Sequence, residues 1–250
     1  MRKSKRDRLE SAEIDAVEAS DVDVEVDELT DEEAVDIVTD LVVDDTEAGP
    51  IDEKSAPDDR AEEGPLDESE ASPVRPYVDL GGVKIVPREG LHLRLEVEEG
   101  SQRVVAVGLD FAKSTLQVQP FAAPRSTGLW HEIREQITDQ ILKQGGTTAE
   151  VDGPFGPEIR AEIPVAAGST PTADGATTRL ARFVGVDGPR WFLRGVIAGD
   201  ATVDPEAAEK IEDLFRSVVV VRGHDPMPPR DLIPLHMPKA NPTDAARTTV

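Results

Sequence analysis

The first residues with the chemistry to bind a ligand surround a predicted helix start. Arg125 directly precedes Ser126 and Thr127, which are candidate caps for a helix beginning near Gly128. Backbone N–H groups, a hydroxyl and a guanidinium at such a position can together hold a phosphate or a carboxylate. The alternative is that Arg125 pairs with a structural carboxylate or caps a backbone carbonyl.

A second group of candidate binding residues lies on a later predicted strand. Arg190, Phe192 and Arg194 alternate along it, so they share one face, and Arg182 lies on the preceding strand. If no helix covers that face, it offers a platform for an anionic or aromatic ligand. The alternative is that Trp191 lies in the core while the arginines extend to solvent.

The sequence contains no recognisable catalytic or metal-binding motif. There is no cysteine, which excludes disulfide scaffolds and thiolate sites. The four histidines have no metal-ligand spacing and belong to no recognisable triad: His92, His131, His224 and His236. We therefore predict no catalytic residue, no metal and no cofactor, and expect the protein not to be an enzyme.

The charge of the chain is concentrated near its start. The formal net charge is −24, and residues 7–72 hold 27 acidic side chains against three basic ones. Direct nucleic-acid binding is therefore not expected, because phosphate contacts need clustered basic residues. No apolar run reaches the length of about 18 residues that a membrane span requires. Acidic residues follow the basic start where a signal peptide would be apolar, so we expect a cytoplasmic protein.

Residues 1–72 are predicted to be a disordered acidic arm. They contain no aromatic residue, and Tyr77 is the first. A segment of this composition buries too little apolar surface to offset the entropy lost on ordering. Within it, residues 30–43 place apolar residues at helical spacing after a capping pattern, which predicts a short helix. We expect deletion of residues 1–72 to leave thermal stability nearly unchanged.

The folded domain is predicted to span residues 73–238, with a disordered end at 239–250. Alternating and β-branched patterns predict strands at 83–86, 91–97, 104–107, 116–121, 147–151, 158–165, 178–186, 190–198 and 217–223. Helical stripes predict one helix over 128–144 and a second starting at Pro205, after an Asp204 N-cap. The chain after Gly223 is rich in proline, and the apolar residues Leu232, Ile233, Leu235 and Met237 lead us to expect that residues 230–237 lie across the domain. These elements predict a single-domain α+β fold, with two helices on a mostly antiparallel sheet.

Four segments of this domain carry a resemblance to a known family. They are Phe121–Trp130 (FAAPRSTGLW), Val151–Gly156 (VDGPFG), Arg182–Val196 (RFVGVDGPRWFLRGV) and Val218–Pro229 (VVVVRGHDPMPP). Over residues 75–238 the chain resembles the actinobacterial family known as domain of unknown function 3710. That family implies no activity, substrate or catalytic residue. Separately, the strand–helix–strand order over residues 190–222 resembles the end of PsbP-like α/β/α domains.

Three functions are compatible with these features. The first, which we favour, is a non-enzymatic binding or accessory module for an unknown protein partner or a small anionic ligand. The second is an enzyme or sensor acting on a phosphorylated small molecule, held by Arg125 and Arg194. The third is a regulator of a nucleic-acid process, with the arm as an acidic decoy. The first hypothesis also predicts that the arm masks the face around Arg190 and Arg194.

Overall fold

The protein is built on one large sheet and one small sheet. The computed structural model describes residues 24–28, 53–98, 100–165 and 177–238. The strands are β1 Val24–Glu28, β2 Leu66–Asp67, β3 Val78–Asp79, β4 Val83–Ile85, β5 His92–Val97, β6 Val104–Phe111, β7 Ser114–Ala122, β8 Thr147–Gly153, β9 Gly156–Pro164, β10 Thr178–Asp187, β11 Trp191–Gly199 and β12 Val219–Val220. The helices are α1 Arg60–Glu63, α2 Trp130–Lys143 and α3 Pro205–Arg216, with a 3-10 turn at Asp200–Thr202.

The main sheet has eight strands in the order β1-β5-β6-β7-β11-β10-β9-β8. All its neighbours pair antiparallel except β1 and β5, which are parallel. The small sheet has the order β2-β12-β4-β3. The predicted α+β fold with a mostly antiparallel sheet is confirmed. No helix in the described parts of the chain is long and apolar enough to cross a bilayer.

Two hydrophobic clusters pack against opposite faces of the main sheet. On the first face, alternate residues of β5 such as Leu93 and Leu95 pack with the small sheet and with α3 residues such as Phe215. On the second face, α2 packs its apolar stripe, including Trp130 and Ile137, against β9, β10 and β11. The strands at the centre of the sheet are therefore covered on both sides where α2 lies.

The two predicted helices form close to their predicted limits. Asp204 caps α3 by accepting a hydrogen bond from the Glu206 N–H at 3.1 Å, and Pro205 occupies the first turn, as predicted. In α2, however, neither Ser126 nor Thr127 is the cap. Instead the Asp187 carboxylate, at the end of β10, accepts a hydrogen bond from the Leu129 N–H at 2.8 Å. The helix consequently begins at Trp130 rather than at Gly128.

The prediction that residues 1–72 are wholly disordered is wrong for residues 53–72, which we call the N-terminal segment. It contains the one-turn helix α1 and strand β2, which pairs with β12. The Ser55 N–H donates to Asp187 at 3.0 Å, and Asp67 accepts from the Trp191 indole N–H at 3.0 Å. The segment is thus attached by backbone pairing and polar contacts, which compensate for its lack of aromatic residues.

A second part of the predicted arm, residues 24–28, also has regular structure, since it forms β1 beside β5. The predicted helix over 30–43 and the predicted disordered end at 239–250 lie outside the described residues. The expectation that residues 230–237 lie across the domain is confirmed. Leu235 bridges to Gly81 and Val104, and Leu232 bridges to Phe121.

Candidate functional site

The predicted anion site before α2 is not available for a ligand. The Asp187 carboxylate already accepts hydrogen bonds from the Leu129 and Trp130 N–H groups, at 2.8 and 3.4 Å. Arg125 and Ser126 are exposed in the loop that precedes these residues. The prediction that Arg125 and the helix start together hold an anion is therefore wrong, because an internal carboxylate takes that place.

The predicted platform of Arg190, Phe192 and Arg194 is not an exposed surface. Phe192 is fully buried and stacks on Phe121 and Trp130, with ring centroids 6.1 and 5.8 Å apart. Arg194 is only 3% exposed. Arg190 donates to the Gly223 carbonyl at 2.6 Å. The prediction of an exposed binding platform is therefore wrong, because α2 covers Phe192. The sequence did not indicate that this helix would lie over that strand.

Arg182 lies on the opposite face of the main sheet and joins three elements. It donates to Glu158 of β9 at 2.8 Å and to Glu212 of α3 at 2.6 Å. Burial acts to lower the pKa of Arg182, but hydrogen bonds and charge from the two glutamates raise it on balance. Arg182 is thus part of a buried ion-pair network and lies apart from the other predicted site residues.

Polar side chains occupy the second face of the main sheet outside the area covered by α2. Four of them are at least nine-tenths buried, and with Arg94 we call them the polar cluster: Arg94, Glu96, Gln117, Gln119 and Arg194. Gln117 donates to the Glu96 carboxylate, and Arg194 donates to the Gln119 amide oxygen. Burying this many hydrogen-bonding groups costs free energy unless each has a partner. The side chains of the polar cluster must therefore keep one specific hydrogen-bonded arrangement.

The position of Arg194 explains how a charge is tolerated in this cluster. It lies directly across from Gln119 on β7, and its guanidinium lies 5.6 Å from the centre of the Phe121 ring. Burial lowers the pKa of Arg194 to about 9, which still leaves the guanidinium charged at neutral pH. Gln119 also donates to the Val105 carbonyl at 3.0 Å, which fixes its amide orientation.

Arg94 is held at the outer side of the polar cluster. Its Nε donates to Asp110 at 2.7 Å and its Nη2 at 3.3 Å, so the guanidinium is fixed by a forked pair. Asp110 in turn accepts from the Thr115 hydroxyl at 2.6 Å. The Arg94 side chain is 28% exposed. Gly108, directly opposite on β6, leaves space beneath the guanidinium.

Strand β1 lies next to Arg94 at the edge of the sheet. Its register pairs Val24 with Leu93, Glu25 with Arg94, Val26 with Leu95, Asp27 with Glu96 and Glu28 with Val97. Directly paired residues on neighbouring strands belong to the same face of a sheet. The valine positions therefore belong to the first face, with the core leucines, and the acidic positions 25 and 27 to the second face, with the polar cluster.

A separate groove of about 280 Å³ lies on the first face, across β8, β9 and β10. Thr202 borders it, Arg182 contributes to its wall, and the side chain of Arg160 is 56% exposed there. Arg160 donates to Glu158 at 3.1 Å, and Glu162 also lines the groove. Carboxylates thus offset the guanidinium charges, and the groove has no net positive potential to attract an anion.

Sequence reasoning identified Arg194 but missed the residues around it. Arg94 and Glu96 alternate with Leu93 and Leu95, and Gln117 and Gln119 alternate in the same way on β7. The period of two places Arg94 and Glu96 on one side of β5, and Gln117 and Gln119 on one side of β7. No local pattern indicated that this face would be buried. Among the described residues no group of three or more His, Asp or Glu side chains is placed to hold a metal ion.

Comparisons with known proteins identify one family model and one solved structure that are similar to this chain. A family model described as Protein of unknown function (DUF3710) matches residues 64–244, a range that includes the end of the N-terminal segment. No curated protein matches the chain in sequence. The solution structure of cyanobacterial PsbP (CyanoP) from Synechocystis sp. PCC 6803 is similar over 56% of this chain and 87% of that chain. Its identity is 12% and its TM-score 0.33, so we conclude nothing about function from it.

Proposed function

The chain belongs to the family described as Protein of unknown function (DUF3710), and we propose that it is a non-enzymatic protein-binding module of the cytoplasm. Its binding element is the β5 edge of the main sheet, which takes up an extended acidic segment as an added strand. The observation that carries this proposal is the parallel pairing of Val24–Glu28 with β5. The chain's own arm supplies an example of the kind of ligand this edge accepts.

The exposed backbone of an edge strand makes it a binding site for extended chains. Without β1, strand β5 would be the terminal strand of the sheet, with a row of unpaired N–H and C=O groups. Domains that bind peptides by strand addition obtain affinity from such backbone hydrogen bonds and specificity from alternate side chains. Both elements are available here, since the register sets alternate positions of β1 level with the core leucines of β5 and with Arg94 and Glu96 of the polar cluster.

Alternating apolar and acidic residues suit the two faces of this edge. Leu93 and Leu95 are fully buried on the first face, and Val24 and Val26 pair with them. A shift of the added strand by one residue would put its acidic residues on this apolar face. The alternation of apolar and acidic residues along the added segment therefore determines which segments can bind.

The alternative of an enzyme acting on a phosphorylated small molecule has less support. It requires Arg125 and Arg194 to clamp one anion together. Arg194 is buried beside Gln119 and Phe121, whereas Arg125 is exposed in the loop before α2. The polar cluster contains no serine, threonine, cysteine or lysine, and its one carboxylate, Glu96, accepts a hydrogen bond from Gln117.

Peptide binding to a chain whose own strand is weakened tests the proposed function. The variant Val24→Asp/Val26→Asp, which we call the docking variant, places two charges opposite buried leucines and should weaken the pairing of β1. A fluorescent peptide of residues 20–32 is titrated into this full-length variant, with a scrambled peptide of the same composition as control. We expect saturable binding of the first peptide only. Absence of binding, or equal binding of the scrambled peptide, would contradict the proposal.

A further inference from the structure

Two arginines without an ion pair to the described residues lie beside the turn that follows β12. Arg190 donates from Nη2 to the Gly223 carbonyl at 2.6 Å, and Arg222 donates from Nη1 to the Asp225 carbonyl at 3.0 Å. We call Arg190 and Arg222 the arginine pair. Both residues are half-buried and the turn residues 223–225 are exposed, so the arginine pair lies at the protein surface.

Carboxylates compensate arginines elsewhere in the described chain but not this pair. Arg60, Arg134 and Arg182, for example, each form an ion pair with a glutamate. No carboxylate of the described residues forms one with either member of the arginine pair. The sequence has 51 acidic residues against 27 Lys and Arg, so a shortage of acids does not explain this arrangement.

The two guanidiniums of the arginine pair carry like charges at close range. Burial lowers the pKa of Arg222, the charge of Arg190 lowers it further, and the charge of Asp225 only partly opposes these effects. Each side chain is held by a carbonyl of the same short turn, so moving apart would cost each of them a hydrogen bond. The fold thus holds two positive charges together, and an anion bound to both would stabilise them.

Arg222 also has a buried donor without an acceptor. Its Nε atom is shielded from water and has no hydrogen-bond partner among the described residues. A buried donor of this kind requires an explanation, and a bound ion is one. The positive charge is delocalised over the whole guanidinium, so an anion at the outer Nη atoms also stabilises the charge at the buried Nε.

A phosphoryl group suits the arginine pair better than a single carboxylate does. It has a charge of about −1.5 to −2 at pH 7 and three strong acceptor oxygens, so it can neutralise two guanidiniums together. A guanidinium has five N–H donors, and each member of the pair gives one of them to a carbonyl of the turn. Nη donors of both side chains therefore remain for forked contacts with phosphoryl oxygens.

We propose that the arginine pair binds a phosphoryl group, at a site separate from the β5 edge. Strand β11, which follows Arg190, is separated from β5 by β7 and β6, so binding here does not depend on strand addition at β5. The group is carried either by a phosphorylated side chain of a partner protein or by a small phosphorylated molecule. Both sources present the same oxygens to the arginine pair, and the experiment distinguishes them.

Titration of the full-length protein with inorganic phosphate tests the site directly. The NMR signals of the arginine Nε–H groups are followed at constant ionic strength, and single-arginine variants assign them. We expect saturable shifts of the Arg190 and Arg222 signals. Acetate should bind about tenfold more weakly or worse, because it has one charge and fewer acceptor oxygens. No shift of either signal, or acetate binding of equal strength, would overturn the proposal.

Substitutions of single arginines test which side chains hold the phosphate. We expect Arg190→Ala and Arg222→Ala each to weaken phosphate binding about tenfold or more, since each removes charge-assisted hydrogen bonds. Arg179→Ala is the matched control, because Arg179 is also half-buried and forms no ion pair with a described residue. It lies near the start of β10, roughly 25 Å along that strand from the turn that leads to Arg190, and its loss should leave phosphate binding unchanged.

A conservative variant keeps the test decisive if an alanine variant does not fold. Arg222→Lys retains the positive charge but not the forked donors, so it should bind phosphate with intermediate affinity. Thermal unfolding without phosphate shows which variants are folded. Wild-type affinity in the folded variants of Arg190 and Arg222, or an equal loss of affinity in Arg179→Ala, would overturn the proposal.

A glycine peptide with a central phosphoserine identifies the source of the phosphoryl group. It is compared with inorganic phosphate and with its own unphosphorylated form. Tighter binding of the phosphopeptide than of phosphate would point to a modified partner protein, and equal or weaker binding to a small phosphorylated molecule. Equal binding of the unphosphorylated peptide would contradict recognition of the phosphoryl group. Failure of every phosphorylated probe would overturn this inference and leave strand addition at β5 unaffected.

Discussion

At the scale of single residues, Asp187 connects three parts of the chain through one buried carboxylate. It accepts hydrogen bonds from the N–H groups of Ser55, Leu129 and Trp130, so it joins the N-terminal segment, the start of α2 and the end of β10. Replacing it with alanine leaves these buried donors without their acceptor. We expect Asp187→Ala to lower the free energy of unfolding by about 1–3 kcal/mol, measured by urea denaturation. A variant as stable as the wild type would contradict this role.

The pH dependence of stability provides an independent check on Asp187. Burial raises its pKa, and the backbone hydrogen bonds and Lys54 only partly oppose this. Because its pKa is higher in the folded than in the unfolded protein, Asp187 contributes its full stabilisation at pH values below the unfolded pKa of about 3.9. That stabilisation is lost as the pH rises through the pKa of the folded state. The stability difference between wild type and Asp187→Ala should therefore narrow from pH 4 upward. A difference that widens over this range would contradict the assignment.

Trp130 is the residue on which the packing of α2 most depends. It is fully buried, stacks on Phe192 and donates its indole N–H to the Pro157 carbonyl at 2.6 Å. We expect Trp130→Ala to destabilise the fold by about 3–5 kcal/mol in urea denaturation. Trp130→Phe keeps most of the packing and should cost only about 1–2 kcal/mol. If Trp130→Ala folded with normal stability, Trp130 would not be the anchor of this helix.

At the scale of elements, the N-terminal segment shows where sequence reasoning succeeds and where it fails. Helix α3 was predicted correctly because its signals, Asp204 and Pro205, are local. The N-terminal segment was missed because its contacts are distant in sequence. Lys54, for example, donates to the carbonyls of Gly188 and Pro189, at 2.5 and 2.8 Å. Composition measures the apolar surface that a segment can bury, and it does not detect polar contacts of this kind.

The candidate site was only partly predictable for a related reason. Alternation along β5 separates Arg94 and Glu96 from the leucines of that strand, and alternation along β7 separates Gln117 and Gln119 from Leu116 and Val118. Whether the polar side chains of these strands are buried depends on the order of the strands and on tertiary packing, which no local pattern specifies. The pairing of residues 24–28 with β5 is likewise a tertiary property, because short alternating segments are compatible with both coil and strand.

Deletion experiments should reveal the N-terminal segment as part of the fold. We expected from sequence that removing residues 1–72 would leave thermal stability unchanged, and the structure reverses this expectation. Removing residues 1–72 takes away β2 and the contacts to Asp187 and Trp191, which should lower the melting temperature by about 5–15 °C relative to removal of residues 1–52. Equal melting temperatures for the two deletions would show that the segment contributes nothing to stability.

At the scale of the whole molecule, one described part of the acidic arm, residues 24–28, lies at the β5 edge of the main sheet. Strand β1 pairs with β5, and the order of the main sheet separates β5 from β11 by two further strands. The described strand of the arm therefore lies beside Arg94, whereas the prediction that the arm masks the face around Arg190 and Arg194 concerns residues outside the described part of the chain. A tethered strand acts at a high effective concentration, on the order of mM for short flexible linkers, so even a weakly bound strand of the same chain can occupy the edge until a partner displaces it.

Amide hydrogen exchange along residues 92–97 tests this account most directly. It is measured in the full-length protein, in the docking variant, and in the docking variant with the peptide of residues 20–32. We predict that the β5 amides facing away from β6 are protected in the first sample, exchange faster in the second and regain protection in the third. Unchanged exchange in the docking variant, or no recovery with saturating peptide, would contradict the claim that the β5 edge binds extended acidic segments.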